Sequence, residues 1–383
     1  VTARVEHRPL SFQRIPSLDG LRALSIALVC AAHFAYSYRF PLPYHSILDK
    51  YAHYGVRIFF VISGFLITTL LISERERTGT INIKLFFIRR AYRILPVAYV
   101  YLVVITVVFH KSLTHRDLAV AYGYASSYFE TRLPWVLSHL WSLSVEEQFY
   151  LIWPLALAFS FTLARRFALL AIVLAPLCHV LLVALGLRQG APYFFPSVAD
   201  SLAAGCLLAL FQPQLQRYRA FFAWRGFPFI WTLTLFIPFL HRYSPAALRY
   251  WGFPHLALAS SVAFLSVFNL GMILCVQNAI VVPPRLLNTP AVVWIGTLSY
   301  SLYIWQMPFA DPDARSWVTS FPQNLLFAFL AAVISYYLVE QPLLRMRARR
   351  ARPRHTCVLK GAVAVASAPE VEVPSRDAQG TAA

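Results

Sequence analysis

The sequence predicts an all-α protein, a polytopic membrane helical bundle of about ten transmembrane helices with both termini cytoplasmic. Three observations predict this. Of 383 residues, 58% are hydrophobic and only 13% charged, about half the charged share of a typical soluble domain. Long apolar runs recur from residue 18 to residue 344. Lys and Arg also divide unequally between alternate connections, 21 on one side and nine on the other. The positive-inside rule puts the richer side in the cytoplasm.

The first span, 17–37, lacks a small-residue cleavage site and ends in "HFAYSYRF", so it reads as a retained helix and not a signal peptide. The chain begins with Val1, which reads as a non-Met start translated literally or as a missing extreme N-terminus. Span two covers 54–73. Span three, 94–110, is entered through an arginine cluster and contains Pro96. Span four, 140–162, carries Glu146, Glu147 and Pro154, and span five, 167–187, follows Arg165 and Arg166. Span six, 196–211, has Gly205 among alanines, which permits close helix approach. Apolar runs at 221–240 and 253–276 give spans seven and eight, and 291–309 gives span nine. Span ten, 323–344, stops at "RMRARRARPR". The organisation is therefore a cytoplasmic segment 1–16, a membrane domain 17–344, and a tail 345–383 that is basic and then disordered.

Other classes recede. The net charge of +18 is a topology signal with some attraction to anionic lipid headgroups, so no nucleic-acid partner is expected. The five cysteines are scattered and show no metal or disulfide signature. No internal repeat and no soluble domain is visible, so the chemistry lies within the lipid bilayer or at its surface.

Ionisable residues inside spans are functional by default. Arg22 and His33 in "LDGLRALSIALVCAAHF" stand 11 positions apart, three helical turns plus roughly 20°, on one face and about 16 Å apart along the axis. Histidine suits proton transfer near neutral pH. In "KLFFIRRAYRILP", Arg89, Arg90 and Arg93 gather at the cytoplasmic mouth of span three. They are either topology determinants or a clamp for phosphate, which guanidinium engages bidentately. From the opposite side, Glu146 and Tyr150 enter span four and Arg57 enters span two. These form either an interfacial ion pair with an aromatic belt or a polar pocket near His33. Opposite charges at similar depth predict that Arg57 and Glu146 pair. Tyr303 and Gln306, three apart in span nine, can reach one cavity, and Asp200 stands at the outer start of span six.

The blocks "LDGLRALSIALVCAAHF", "GVRIFFVISGFLI", "FFIRRAYRILP", "WSLSVEEQFYLIWPL" and "SYSLYIWQMPF" occur in the order seen in the acyltransferase-3 family, which the chain resembles over roughly residues 14–345. The resemblance implies transfer of an acyl group, commonly acetyl, from cytoplasmic acyl-CoA as co-substrate, with no metal. The acceptor it implies is a hydroxyl of a cell-envelope or exported glycan, or of a small molecule, in a multi-pass protein of the bacterial inner membrane. Arg22 and His33 match the family's Arg-x10-His pattern, Arg90 and Arg93 its Arg-x-x-Arg pattern, Ser63 and Gly64 its SGF turn, and Glu146 its acidic position. This makes His33 and Glu146 the catalytic candidates. Arg22, Arg89, Arg90, Arg93, Ser63 and Gly64 become candidates for holding the cofactor, and Arg57, Tyr150, Tyr303 and Gln306 for the acceptor. Gln306 and Val198 depart from the pattern, where members often have His and a basic residue. Some members carry a fused extracytoplasmic hydrolase-like domain, for which this sequence leaves no room.

His33 would take the hydroxyl proton as oxygen attacks the thioester, and an acyl-histidine intermediate is the alternative. Two rivals remain. Glycerolipid acyltransferases use a His-x4-Asp dyad, and no histidine here has Asp five positions on. A non-catalytic transporter of a lipid-linked or small polar solute would suit ten spans carrying buried ions, but transporters usually show internal repeats.

Overall fold

The structure, a computed structural model, describes residues 15–41, 45–129, 133–187 and 193–350. The expectations for 1–14 and for the tail from 351 lie outside the described residues. Among the described residues there is no strand.

Helices occupy all ten predicted positions, and their ends follow local chemistry. Helix α1 (Pro16–Phe34) opens with Pro at its first turn and Asp19 just inside, where a missing N–H costs nothing and a carboxylate suits the helix dipole. Helix α2 (His45–Thr78) runs 34 residues, about 51 Å, and stops at Gly79, which takes φ +77° as a helix-ending glycine does. Helix α3 (Ile83–Val108) begins eleven residues before its predicted span, because the Asn82 side chain accepts from the Leu85 N–H at 2.9 Å. Helices α4 (Trp141–Phe159) and α5 (Phe161–Ala184) share Ser160, which ends one and caps the next through Leu163 N–H at 3.3 Å.

Helix α6 (Phe195–Leu210) is followed by a 63° bend into 212–222. Next come α7 (Phe227–Tyr250), α8 (Pro254–Val281) and α9 (Pro290–Trp305). Helix α10 (Gln323–Ser335) passes through a π-helical turn, Tyr336–Glu340, into α11 (Gln341–Arg350). Six of the described helices are long and apolar enough to cross a membrane, or seven if the bent pair counts as one span. Ten had been expected. Helices α6 and α9, at 16 residues, reach only about 24 Å against a hydrocarbon core of about 30 Å.

Helices α1, α2 and α6 form a central wall with an apolar core on each side. One core joins the wall to α3, α4 and α9, and the other joins it to α7 and α8. Two reciprocal glycine crossings fix the wall. A methyl group on Gly64 of α2 would strike the Leu202 carbonyl of α6, and one on Gly205 of α6 would strike the Val61 carbonyl of α2. Gly20 of α1 meets the Leu287 carbonyl in the turn just before α9, and Gly296 of α9 meets the Asp19 carbonyl of α1. Backbones this close need glycine on both sides of the contact.

Candidate active site

The core on the α3–α4–α9 side holds an open cavity with about 680 Å³ of empty space, its mouth included. Its walls come from α1 (Arg22), α2 (Val56, Phe59, Phe60, Ser63), α3 (Arg90, Arg93, Ile94), α4 (Ser142, Leu143, Glu146, Tyr150) and α9 (Ser299, Tyr300, Tyr303). The early start of α3 explains the arginines. Arg90 lies seven residues into that helix, about 10 Å from its first residue, so it faces the cavity and does not merely flank the span.

The cavity has two chemically different ends. At the basic end, three guanidiniums converge. Arg90 stands 5.4 Å from the centre of the Tyr150 ring and 5.8 Å from that of Phe86, contacts that orient a cation without neutralising it. Arg22 has Asp19 at 3.5 Å. Glu146 faces them, its two carboxylate oxygens accepting from Ser63 Oγ at 2.9 Å and Tyr150 Oη at 3.0 Å. With Asp19, Glu146 and, within electrostatic reach, Glu340, three carboxylates answer the three guanidiniums, so what this end offers an anion is forked N–H donors and not excess charge. At the far end, Ser142 Oγ donates to Tyr303 Oη at 2.7 Å, and Tyr303 donates to the His139 carbonyl at 2.8 Å.

Seven of the candidates read from the sequence therefore meet around one cavity: Arg22, Ser63, Arg90, Arg93, Glu146, Tyr150 and Tyr303. The others do not line it. Gly64 turns away, onto α6, so its role is packing. Arg89 is 43% exposed and pairs with Glu74 at 3.3 Å on the outside of the bundle. Gln306 is fully buried beyond Tyr303, its Nε2 donating to the Tyr303 carbonyl at 3.3 Å. His33 also lies beyond that end, edge-on to the Trp135 ring with centroids 5.8 Å apart.

Arg57 overturns its expected pairing with Glu146. It is 1% exposed, and its Nη1 donates to both oxygens of Asp200 at 3.0 and 3.1 Å and to Ser201 Oγ at 2.8 Å. Its Nε donates to His53 Nε2 at 3.2 Å. Asn269 Nδ2 adds a third donor to Asp200 at 2.7 Å. The α2–α6 glycine crossing brings Asp200 to Arg57, whereas Glu146, further along α4, is drawn to Ser63 and the arginines.

Two residues went unread in the sequence. Glu340, 2% exposed in the π-helical turn, accepts from Ser301 Oγ at 3.0 Å and lies within electrostatic reach of Arg93 and Arg22. A carboxylate inside the tenth span was the available signal. Ser142 was hidden in a block valued for its glutamate.

The described residues thus form an all-helical, largely apolar bundle with a cavity lined by three guanidiniums among its helices. The chain belongs to the acyltransferase-3 family: the family described as acyltransferase domain matches residues 15–340. The chain is similar to the peptidoglycan O-acetyltransferase OatA of Listeria monocytogenes, 29% identical over 365 residues that cover 86% of this chain and 56% of that protein. It is likewise similar to the O-acetyltransferase OatA of Staphylococcus aureus, 29% identical over 86% of this chain and 57% of that one. The chain thus spans little more than half the length of these relatives. No solved structure matches it.

Proposed function

We propose that this chain is a membrane O-acyltransferase that moves an acetyl group from acetyl-CoA to a hydroxyl of a cell-envelope glycan, in the bacterial inner membrane. The observation that carries this reading is the cavity itself, with three guanidiniums at one end and a hydroxyl pair at the other. The acetyl-transfer names of the two relatives support the reaction, and the peptidoglycan in one of those names supports a glycan acceptor.

In this reading Arg22, Arg90 and Arg93 receive the nucleotide phosphates from the cytoplasm. The flexible arm of the donor then runs along the cavity toward Tyr303 and carries the thioester with it. Glu146 is held by two donors and is oriented as an acceptor, so it fixes Ser63 and Tyr150 in the wall and balances part of the arginine charge. His33, about 16 Å further along α1 than Arg22, takes the proton from the acceptor hydroxyl. The oxygen bonds to the acyl carbon, the carbon–sulfur bond breaks, and the proton ends on the leaving thiolate.

The test is purified protein in sealed vesicles, given acetyl-CoA labelled in the acetyl group on the arginine side and a soluble peptidoglycan oligosaccharide on either side. Label passing into the glycan, dependent on Arg90, supports the reading. Tight donor binding with the thioester intact refutes it and favours a carrier.

A further inference from the structure

The arginines of α11 have no part in the site described above. Arg345 and Arg349 are exposed, as charges that set topology at a membrane surface are. Arg347 is placed differently. It is partly buried, and its Nη1 donates to the Arg89 carbonyl of α3 at 3.3 Å, across 258 positions. Seven residues, two helical turns, separate it from Glu340. Glu340 lies within electrostatic reach of Arg93, so the two side chains meet α3 at successive levels. The seam between α3 and α11 therefore leads outward from the cavity arginines to Arg347.

The carboxylates do not follow it there. Arg22, Arg90 and Arg93 have Asp19, Glu146 and Glu340 near them, and Arg89 pairs with Glu74 at 3.3 Å. Among the described residues Arg347 forms no ion pair. The charges that reach it are those of Arg89 and Arg93, and Arg90 in turn feels Arg347. Like charges gathered in this way repel, yet the Arg89 carbonyl keeps Arg347 beside the others. One N–H is engaged by that carbonyl, and the remaining donors of the fork are left for an anion.

We propose that Arg347, beside Arg93, forms a separate subsite for a phosphomonoester, the one carried on the ribose of a coenzyme A donor. The inference rests on the donor reading above. Coenzyme A bears phosphate at two places, a pyrophosphate within its chain and a phosphomonoester at its nucleotide end. The cavity guanidiniums answer the first. The monoester carries close to two negative charges near neutral pH and belongs to the end of the molecule furthest from the thioester. With the thioester directed toward Tyr303, that end lies outward of Arg90 and Arg93, on the side where Arg347 stands.

Binding tests this without depending on the transfer step. Calorimetry on the full chain in an uncharged detergent compares coenzyme A with dephospho-coenzyme A, which lacks the monoester. Wild type should prefer coenzyme A by about tenfold or more, the scale of a charged hydrogen bond. Arg347→Gln should erase most of that preference, weakening coenzyme A while the Kd for the dephospho form changes less than about twofold. Arg345→Gln, which removes an exposed charge from the same helix, should keep the preference. Equal binding of the two nucleotides by wild type overturns the proposal. So does an Arg347→Gln protein that binds both as wild type does, which makes the residue a topology or lipid-headgroup contact, or one that loses both equally. An Arg345→Gln protein that loses the preference as well overturns it too, because diffuse charge would then suffice. Wild type that binds neither nucleotide overturns the donor reading and this one with it. Wild type that shows the preference but never transfers acetyl upholds the subsite and overturns the acyl-transfer reading alone.

Discussion

Asp200→Asn isolates the energetics of the buried ion pair. Arg57 and Asp200 are 1% and 2% exposed, and the guanidinium makes three hydrogen bonds to Asp200 and Ser201 and one to His53. The substitution keeps the shape, removes the negative charge, and turns an N–H₂ toward groups that donate. A buried cation left without its counterion costs about 3–5 kcal/mol. Arg57→Met should cost less, because the Asp200 carboxylate keeps the Asn269 amide at 2.7 Å and the Ser201 N–H at 2.9 Å. The double variant Arg57→Met/Asp200→Leu, with no charge left to bury, should recover most of the loss, since apolar replacement of a buried pair is often neutral or better. Reversible unfolding in mixed detergent micelles, followed by tryptophan fluorescence, measures all three. A loss under about 1 kcal/mol for Asp200→Asn, the ordinary scale of a point substitution, would refute the reasoning. A double variant as unstable as the single would do the same.

Four further outcomes follow from the site. His33→Ala should lower turnover by about 10²–10⁴ with donor affinity intact, and a purified variant above half the wild-type rate removes His33 from the chemistry. Arg90→Ala should weaken acetyl-CoA binding by about 10- to 150-fold, from a charged hydrogen bond worth roughly 1.5–3 kcal/mol. Arg90→Lys should recover only part of it, as calorimetry of the purified protein can show. Tyr303→Phe removes the shorter of the two acceptors of Ser142, leaving it the His139 carbonyl at 3.4 Å, and should cost about 0.5–1.5 kcal/mol; unchanged thermal unfolding would argue against that bond. Gly205→Ala places a methyl group against the Val61 carbonyl and should destabilise by about 1–3 kcal/mol, whereas Gly186→Ala, with no atom near the added group, carries only backbone strain at φ +82°.

Much of this was legible in the residues. Apolar runs located a helix at each of the ten predicted positions, although only six or seven are long and apolar enough to span. Ionisable residues inside the runs found Arg22 and Glu146, and the cluster at the mouth of span three gave Arg90 and Arg93. Helix ends were harder, because single side chains set them. Asn82 starts α3 well before its apolar stretch, and Ser160 merges two spans into a tight corner. The partner of Arg57 was beyond reach, since Asp200 lies 143 positions away and only the glycine crossing brings it close. The same crossing reassigns Gly64: the motif containing it faces the cavity through Ser63 and the neighbouring helix through the glycine. Glu340 escaped because a π-helical turn rotates it inward, a register shift that 3.6-residue periodicity does not anticipate.

The paired glycines also limit how the protein can move. A piston stroke of α1 past α9, or of α2 past α6, would drive a side chain into a facing carbonyl within one residue of travel. The two contacts therefore act as shear stops, and the depths of Arg22 and Ser63 relative to α9 and α6 are set like teeth in a gear. Helix α3 carries no such stop. Pro96 interrupts its hydrogen-bond ladder, and its outward face of Val100, Val103, Val104 and Val107 is exposed. Its tie to α9 at cavity depth is the Tyr300 hydroxyl on the Ile94 carbonyl at 2.7 Å. Moving α3 away from α9 at this depth would break that bond, so the width of the cavity there is set by one tyrosine hydroxyl.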